Sequence, residues 1–219
     1  MKGIFRSKIG IDPTCVLYLP MDGFMSGAIV RDHSQYHNNG TVYGASFCYP
    51  GLKFDGVDDF VNIPNLASLR KWDEITVMVW VKSLQPTWNA YRALVNKETG
   101  KNQWMLSTDK NSTSVGFYWY DGTSWRGSGE VSIEGITKWN FIAAAKNDTY
   151  VKIFINGELK LTADGTAPIQ EVSGTPVYIG RGENYYLNAI IDEVRIYNRY
   201  LNPSEIFSHY ELTRWKFGM

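Results

Sequence analysis

Tyr185-Tyr-Leu-Asn-Ala-Ile-Ile-Asp-Glu-Val-Arg-Ile-Tyr-Asn-Arg-Tyr-Leu-Asn-Pro-Ser-Glu-Ile206 writes a two-faced strand directly into a capped helix. Strict alternation places Ile191, Glu193, Arg195 and Tyr197 on a charged and aromatic face. Ile190, Asp192, Val194 and Ile196 then form an apolar face interrupted by one acid. A carboxylate among aliphatic side chains costs several kcal/mol, roughly, unless it is paired, hydrogen-bonded or bound to a metal. Asp192 is therefore the first residue expected to hold a cation. The helix that follows has Asn202 as N-cap, Pro203 at its first position, Glu205 completing a capping box and Leu201 placed to staple onto Ile206.

Working outward, period-two segments separated by turn signals fill the chain, and Asn202 to Tyr210 is the single stretch that reads as helix. Asn156-Gly157 between Val151-Lys-Ile-Phe-Ile and Glu158-Leu-Lys-Leu-Thr is the strongest hairpin signal, because a type I′ turn needs positive φ at both central residues. Asp121-Gly122 and Asn147-Asp148 mark two more hairpins. In Ile75-Thr-Val-Met-Val-Trp-Val-Lys82 both faces are apolar, the pattern of a central strand covered on each side, as when one sheet lies against another and also floors a groove. These signals point to an all-β fold, a two-sheet antiparallel β-sandwich with one short C-terminal helix.

The 219 residues suit one domain of this kind, with 44% hydrophobic and 15% aromatic residues to fill its core. We expect an N-terminal arm over 1–15, the sandwich over 16–211 and a C-terminal tail over 212–219. Twenty-two basic residues balance twenty-two acidic ones, so no overall field favours nucleic acid or an anionic membrane. Met1 to Pro13 carries Lys2, Arg6 and Lys8 without the apolar run of a secretory signal, and no segment approaches membrane-spanning length. Cys15 and Cys48 read as reduced thiols rather than a disulfide framework or a zinc site. His33 and His37 read as solvated loop residues, and Asp55, Asp58 and Asp59 as turn and capping acids.

Several blocks, in order, resemble the laminin-G-like jelly rolls of the concanavalin A-like lectin and glucanase superfamily. They include Val16-Leu-Tyr-Leu-Pro-Met-Asp-Gly, Arg31-Asp-His-Ser-Gln-Tyr-His-Asn-Asn-Gly-Thr, Leu52-Lys-Phe-Asp-Gly-Val-Asp-Asp-Phe-Val-Asn-Ile-Pro, Trp139-Asn-Phe-Ile-Ala and Ile191-Asp-Glu-Val-Arg-Ile-Tyr. The resemblance implies a concanavalin A-like jelly roll and one structural calcium ion held by Asp22, Asp32, Asn38, Gly40 and Asp192. Good turns and loop hydrogen bonds account for the same residues without a metal.

Glucan-cleaving members of that superfamily aim alternating acids from one strand into a groove, and retaining hydrolysis needs two carboxyls about 5 Å apart. No Glu-x-Asp-x-Glu triplet occurs here, and Asp192 and Glu193, as strand neighbours, are expected on opposite faces. A glycosidase is thus disfavoured. The expected function is a non-catalytic recognition or adhesion module whose aromatic loops bind a glycan or glycosylated surface. Trp88, Tyr91, Trp119, Trp125, Asn184, Tyr185 and Tyr186 carry that expectation, since sugar C–H faces stack on rings and hydroxyls bond to amides. At least half of the loop rings should nonetheless be packing. The alternative is a structural decoration protein that contacts capsid, tail or other assembly proteins. An extracellular location, or the surface of a virus or phage particle, is expected for either role.

Overall fold

The computed structural model describes residues 12–23, 28–64, 74–91, 94–97, 103–170 and 174–219. The expected N-terminal arm therefore lies mostly outside the described residues. In chain order the strands are β1 (Cys15–Leu19), β2 (Ile29–Val30), β3 (Gly40–Tyr43), β4 (Ser46–Phe47), β5 (Leu52–Asp55), β6 (Phe60–Ile63), β7 (Ile75–Ser83), β8 (Val95–Lys97) and β9 (Trp104–Thr108). They continue as β10 (Ser114–Tyr120), β11 (Trp125–Ser132), β12 (Asn140–Lys146), β13 (Tyr150–Ile155), β14 (Glu158–Asp164), β15 (Val177–Ile179), β16 (Arg181–Gly182), β17 (Tyr185–Tyr186) and β18 (Asn188–Tyr197). A helix, α1 (Pro203–Thr213), and a 3-10 turn, Arg214–Phe217, complete the chain.

Two antiparallel sheets result. The first runs β14-β13-β12-β7-β18-β5-β4, with β1 also paired to β18, and the second runs β11-β10-β9-β8-β15-β6-β3-β2. Their facing sides enclose one apolar core that includes Leu17, Phe54, Val61, Val79, Trp88, Trp104, Trp119, Ile142 and Ile196. The strand count and the alternation along each strand produce the expected sandwich.

The turn chemistry works as the sequence dictates. Asn156 and Gly157 both adopt positive φ, 52° and 80°, between β13 and β14. Asn156 Oδ1 also accepts the Phe141 amide, tying the turn to β12. Asn147 Oδ1 accepts the amides of Thr149 and Tyr150 and so closes the β12–β13 turn. At α1 the Asn202 side chain accepts from Ser204 and Glu205 while Glu205 accepts the Asn202 amide, a complete capping box.

Two expectations about faces need correction. The second apolar face of β7 does not floor a groove. It lies under α1 and the 3-10 turn, where Met78, Trp80, Phe141, Tyr197, Ile206, Tyr210 and Phe217 form a second buried cluster. Trp80 stacks on Phe217 at 4.2 Å and donates its indole N–H to Thr213 Oγ1 at 2.8 Å. The C-terminal tail, 212–219, contributes Phe217 and Lys216 to the body of the domain, while Trp215 stays 62% exposed.

The faces of β18 also differ from simple alternation. Asp192 pairs with Trp80 but Arg195 pairs with Met78, so one extra residue is inserted, and Glu193 at φ 53° is the bulged position. The insertion changes the phase of the strand. Ala189, Ile191, Val194 and Ile196 face the inter-sheet core, whereas Asp192, Glu193 and Arg195 converge beneath the C-terminal segment.

Candidate functional site

Beneath that segment lies a buried charge cluster. Lys216 Nζ lies 2.7 Å from Asp192 Oδ2, 2.5 Å from Asp22 Oδ1 and 3.3 Å from Glu193 Oε1, and donates to the Pro20 carbonyl at 3.1 Å. Arg195 Nη2 donates to Glu193 Oε2 at 2.6 Å, and its guanidinium carbon lies 4.1 Å from the Tyr18 ring centroid. Asp192 and Glu193 therefore share a face, contrary to the expectation from alternation, because Glu193 is the extra, bulged residue at which the strand's alternation breaks. They are closed off from solvent, with relative exposures of 0% and 3%.

Burial pushes the Asp192 carboxyl up to about 8, assisted by the Glu193 charge and opposed by Lys216. Burial alone would lower the Lys216 ammonium, but Asp192 and Glu193 outweigh it and hold the amine protonated far above its usual range. A contact of 2.7 Å to an ammonium ordinarily keeps a carboxylate ionised. Here three carboxyls face two cations, so one retained proton on Asp192 balances the cluster.

The five residues carried over as calcium ligands do not fit the ion. Asp22 and Asp192 converge, but on an ammonium supplied by the chain itself. Asp32 is buried elsewhere and its acceptor capacity is used: Oδ1 takes the amides of Tyr18 and Ser34, and Oδ2 takes the Ser34 hydroxyl and the Asn38 amide. Asn38 directs its side-chain amide to the Val16 carbonyl at 2.9 Å. Gly40 is dictated by packing, because a Cβ there would come within 2.6 Å of Val61 Cγ1. The Asp32 network pins the loop to β1, the task that a metal would have performed.

The remaining acidic cluster is turn chemistry. The carboxylates of Asp55, Asp58 and Asp59 converge within 4.8 Å. Asp55 Oδ1 accepts the Val57 amide and Asp59 Oδ2 accepts the Asp55 amide, as turn acids do. His33 and His37 are exposed, and both cysteines are free thiols, with burial pushing Cys15 up to about 11.

The aromatic candidates separate sharply. Trp88 and Trp119 are 1% exposed members of the inter-sheet core, so neither can stack on a ligand directly. Trp119 points inward because β10 alternates, leaving Tyr118 and Tyr120 on the other face. Trp125 is 40% exposed beside Tyr120 on the β10–β11 hairpin, at a ring separation of 5.9 Å. Tyr91 meets Tyr185 edge-on at 5.4 Å, and Lys110 sits 5.5 Å above the Tyr185 ring. Asn184 is exposed in the turn between β16 and β17.

Tyr186 belongs to a larger assembly that the sequence reading missed. On the outer face of the second sheet, Tyr43 of β3 stacks on Phe60 of β6 at 4.5 Å and 10°. Phe60 meets Tyr178 of β15 edge-on at 5.9 Å and approaches Tyr186 at 6.3 Å. Arg181 lies over this group, its guanidinium carbon 4.9 Å from Tyr178, 5.0 Å from Phe60 and 5.8 Å from Tyr186. Strand register explains the convergence: Thr41, Asn62 and Tyr178 are cross-strand partners, and Tyr43 pairs with Phe60.

The ribbon β16–β17 that carries Arg181 and Tyr186 is fixed from both sides. Asn96 Nδ2 donates to the Arg181 carbonyl. Asn89 Nδ2 donates to the Tyr186 carbonyl at 2.9 Å, and Asn89 Oδ1 accepts the Asn188 amide. These are ordinary asparagines in sequence, and only the fold reveals them as clamps. The platform is therefore preformed, with Tyr43 46% exposed and the other rings half-buried.

Residues 55–207 match the family described as the concanavalin A-like lectin/glucanases superfamily. The chain belongs to this superfamily. None of the curated proteins matches it. Among solved structures, it is similar to the botulinum neurotoxin serotype D binding domain (TM-score 0.70, 19% identity, 92% of this chain and 52% of that one). It is also similar to the binding domain of botulinum neurotoxin DC in complex with rat synaptotagmin II (0.71, 15%, 92% and 52%). A third is from a structure of botulinum neurotoxin type C whose cell entry depends on two ganglioside molecules (0.68, 16%, 90% and 51%). The jelly roll spans about half the length of these neighbours. At such identities the likeness establishes fold, and the site must argue function.

Proposed function

We propose that this laminin-G-like jelly roll is a non-catalytic recognition module that binds carbohydrate on the platform of Tyr43, Phe60, Tyr178, Arg181 and Tyr186. The observation that carries the reading is a cross-strand array of rings left partly exposed around a guanidinium on a clamped ribbon. Carbohydrate C–H faces stack on such rings, and a preformed surface loses little ordering entropy on binding. The fold neighbours, among them a receptor-binding domain of botulinum neurotoxin C/D, a type C toxin whose cell entry depends on two ganglioside molecules and a DC binding domain in complex with SialylT, support a binding role. Against catalysis, Asp192 and Glu193 are buried against Lys216 and Arg195, which removes them from any substrate. An extracellular or particle-surface setting belongs to the same proposal, because glycans of this kind are displayed there.

A glycan array tests it. Binding should be weakened at least tenfold by Tyr43→Ala and left unchanged by Trp125→Ala, whose ring lies on the separate β10–β11 hairpin. An array without a hit, or hits indifferent to Tyr43 and Tyr186, would remove the carbohydrate reading. Protein docking, the second reading, has its own observation in Trp215 and Phe207, 62% and 49% exposed on the C-terminal segment.

A further inference from the structure

We infer that the platform selects a sugar bearing a carboxylate, with Arg181 as the specificity-determining residue; this rests on the carbohydrate reading above. The zero net charge of the chain favours no charged partner overall. The local electrostatics differ. Arg181 donates its Nε–H to the Glu183 carbonyl at 3.2 Å, and its two terminal nitrogens find neither an acceptor nor a carboxylate among the described residues. By contrast, Arg126, Arg195, Arg199 and Arg214 each meet a carboxylate within 3.3 Å.

A guanidinium held over three ring faces is partly stripped of water, and its fork of N–H donors matches a carboxylate in a bidentate contact. The rings supply no counter-charge. An anion approaching the platform therefore meets a positive group whose position is already set by Asn96 and by ring packing.

One ligand class satisfies both features: a pyranose whose C–H face lies on the exposed Tyr43 ring and whose carboxylate meets Arg181. A neutral sugar leaves the guanidinium unanswered, and an acidic peptide offers no pyranose face for Tyr43.

The test is calorimetric titration with 3′-sialyllactose and a glucuronate oligosaccharide, each against the neutral sugar of the same length. The acidic probes should bind at least tenfold more tightly and lose that advantage as salt is raised. Arg181→Gln should abolish the preference, a roughly 10- to 100-fold loss for a charge-assisted bidentate contact. Arg181→Lys keeps the charge and should recover only part of it. Thermal melts of each variant establish that it is folded. Equal affinity for acidic and neutral probes overturns the inference while leaving the carbohydrate reading intact. Neutral glycans bound through Tyr43 with Arg181→Gln harmless would do the same. A poly-glutamate peptide that binds Arg181 more tightly than either acidic sugar overturns both.

Discussion

Replacing Lys216 by Met is the most demanding test of the buried cluster. The methionine fills most of the lysine volume, so packing beside Phe217 changes little, but the ammonium that meets Asp192, Asp22 and Glu193 is gone. Arg195 can still answer Glu193. With Asp192 keeping its proton, two carboxylates, Asp22 and Glu193, then face the single guanidinium, and one negative charge in the cluster is left without a counter-charge. Breaking one side of a buried ion pair costs about 3–5 kcal/mol, a large fraction of the roughly 5–15 kcal/mol that holds a domain together. For a domain of this size that corresponds to a fall in Tm on the order of 10 °C. Urea unfolding and thermal melts measure it. Lys216→Met combined with Asp22→Asn should recover much of the loss, because the amide needs no counter-charge. In the wild type, melts in excess EDTA and in millimolar calcium should superimpose, since the converging acids already surround an ammonium. A Lys216→Met variant within about 1 kcal/mol of wild type, or a calcium-dependent rise in Tm abolished by Asp192→Asn, would refute the reasoning.

The cluster also dictates pH dependence. Asp192 titrates at about 8 in the folded chain against 3.8 for an ordinary carboxyl, so between these values the folded form keeps a proton that the unfolded form releases. Stability should therefore fall as pH rises through that window, by up to about 1.4 kcal/mol per pH unit, and the slope should flatten in Asp192→Asn. His209 acts in the opposite sense: burial holds it below its usual 6.5, so stability should also decline as pH falls beneath that value. Where the two windows overlap, between about pH 3.8 and 6.5, the slopes oppose and stability should be level, falling at more alkaline pH as Asp192 loses its proton and at more acid pH as His209 gains one; denaturation midpoints that rise monotonically toward alkaline pH would contradict it. Trp119→Ala should cost about 3–5 kcal/mol as a core deletion, read by urea unfolding, rather than act as a selective loss of ligand. Asp32→Ala should cost several kcal/mol, roughly, since four donors lose their acceptor, and should raise hydrogen exchange at the amides of Tyr18, Ser34 and Asn38.

The features legible in sequence are those decided within a few residues. Asn156-Gly157 specifies its hairpin because positive φ is a local cost that Asn and Gly bear well. Asn202-Pro-Ser-Glu205 specifies its helix start because the donors and acceptors of the capping box lie three residues apart. The site was less legible because its elements meet only through sheet register. Tyr43, Phe60, Tyr178 and Tyr186 come from four strands spread over more than half the chain, and each taken singly is an unremarkable strand aromatic. Alternation shows that Phe117 and Trp119 share a face, but not that this face is the inner one. That is decided by the pairing of β10 with β9, which carries Trp104 into the same core.

Asp192 shows most clearly where local reasoning stops. Its demand for a positive partner follows from desolvation, since the side chain has no exposed surface. The face on which it stands is set by a bulge at Glu193, which no glycine announces. The partner arrives from Lys216, brought across by α1 once Phe217 stacks on Trp80. The same apolar contacts that close the second face of β7 thus deliver the cation to the acid. Hydrophobic docking of the C-terminal segment and neutralisation of the charge cluster are one event, and a cut before Arg214 would lose both together.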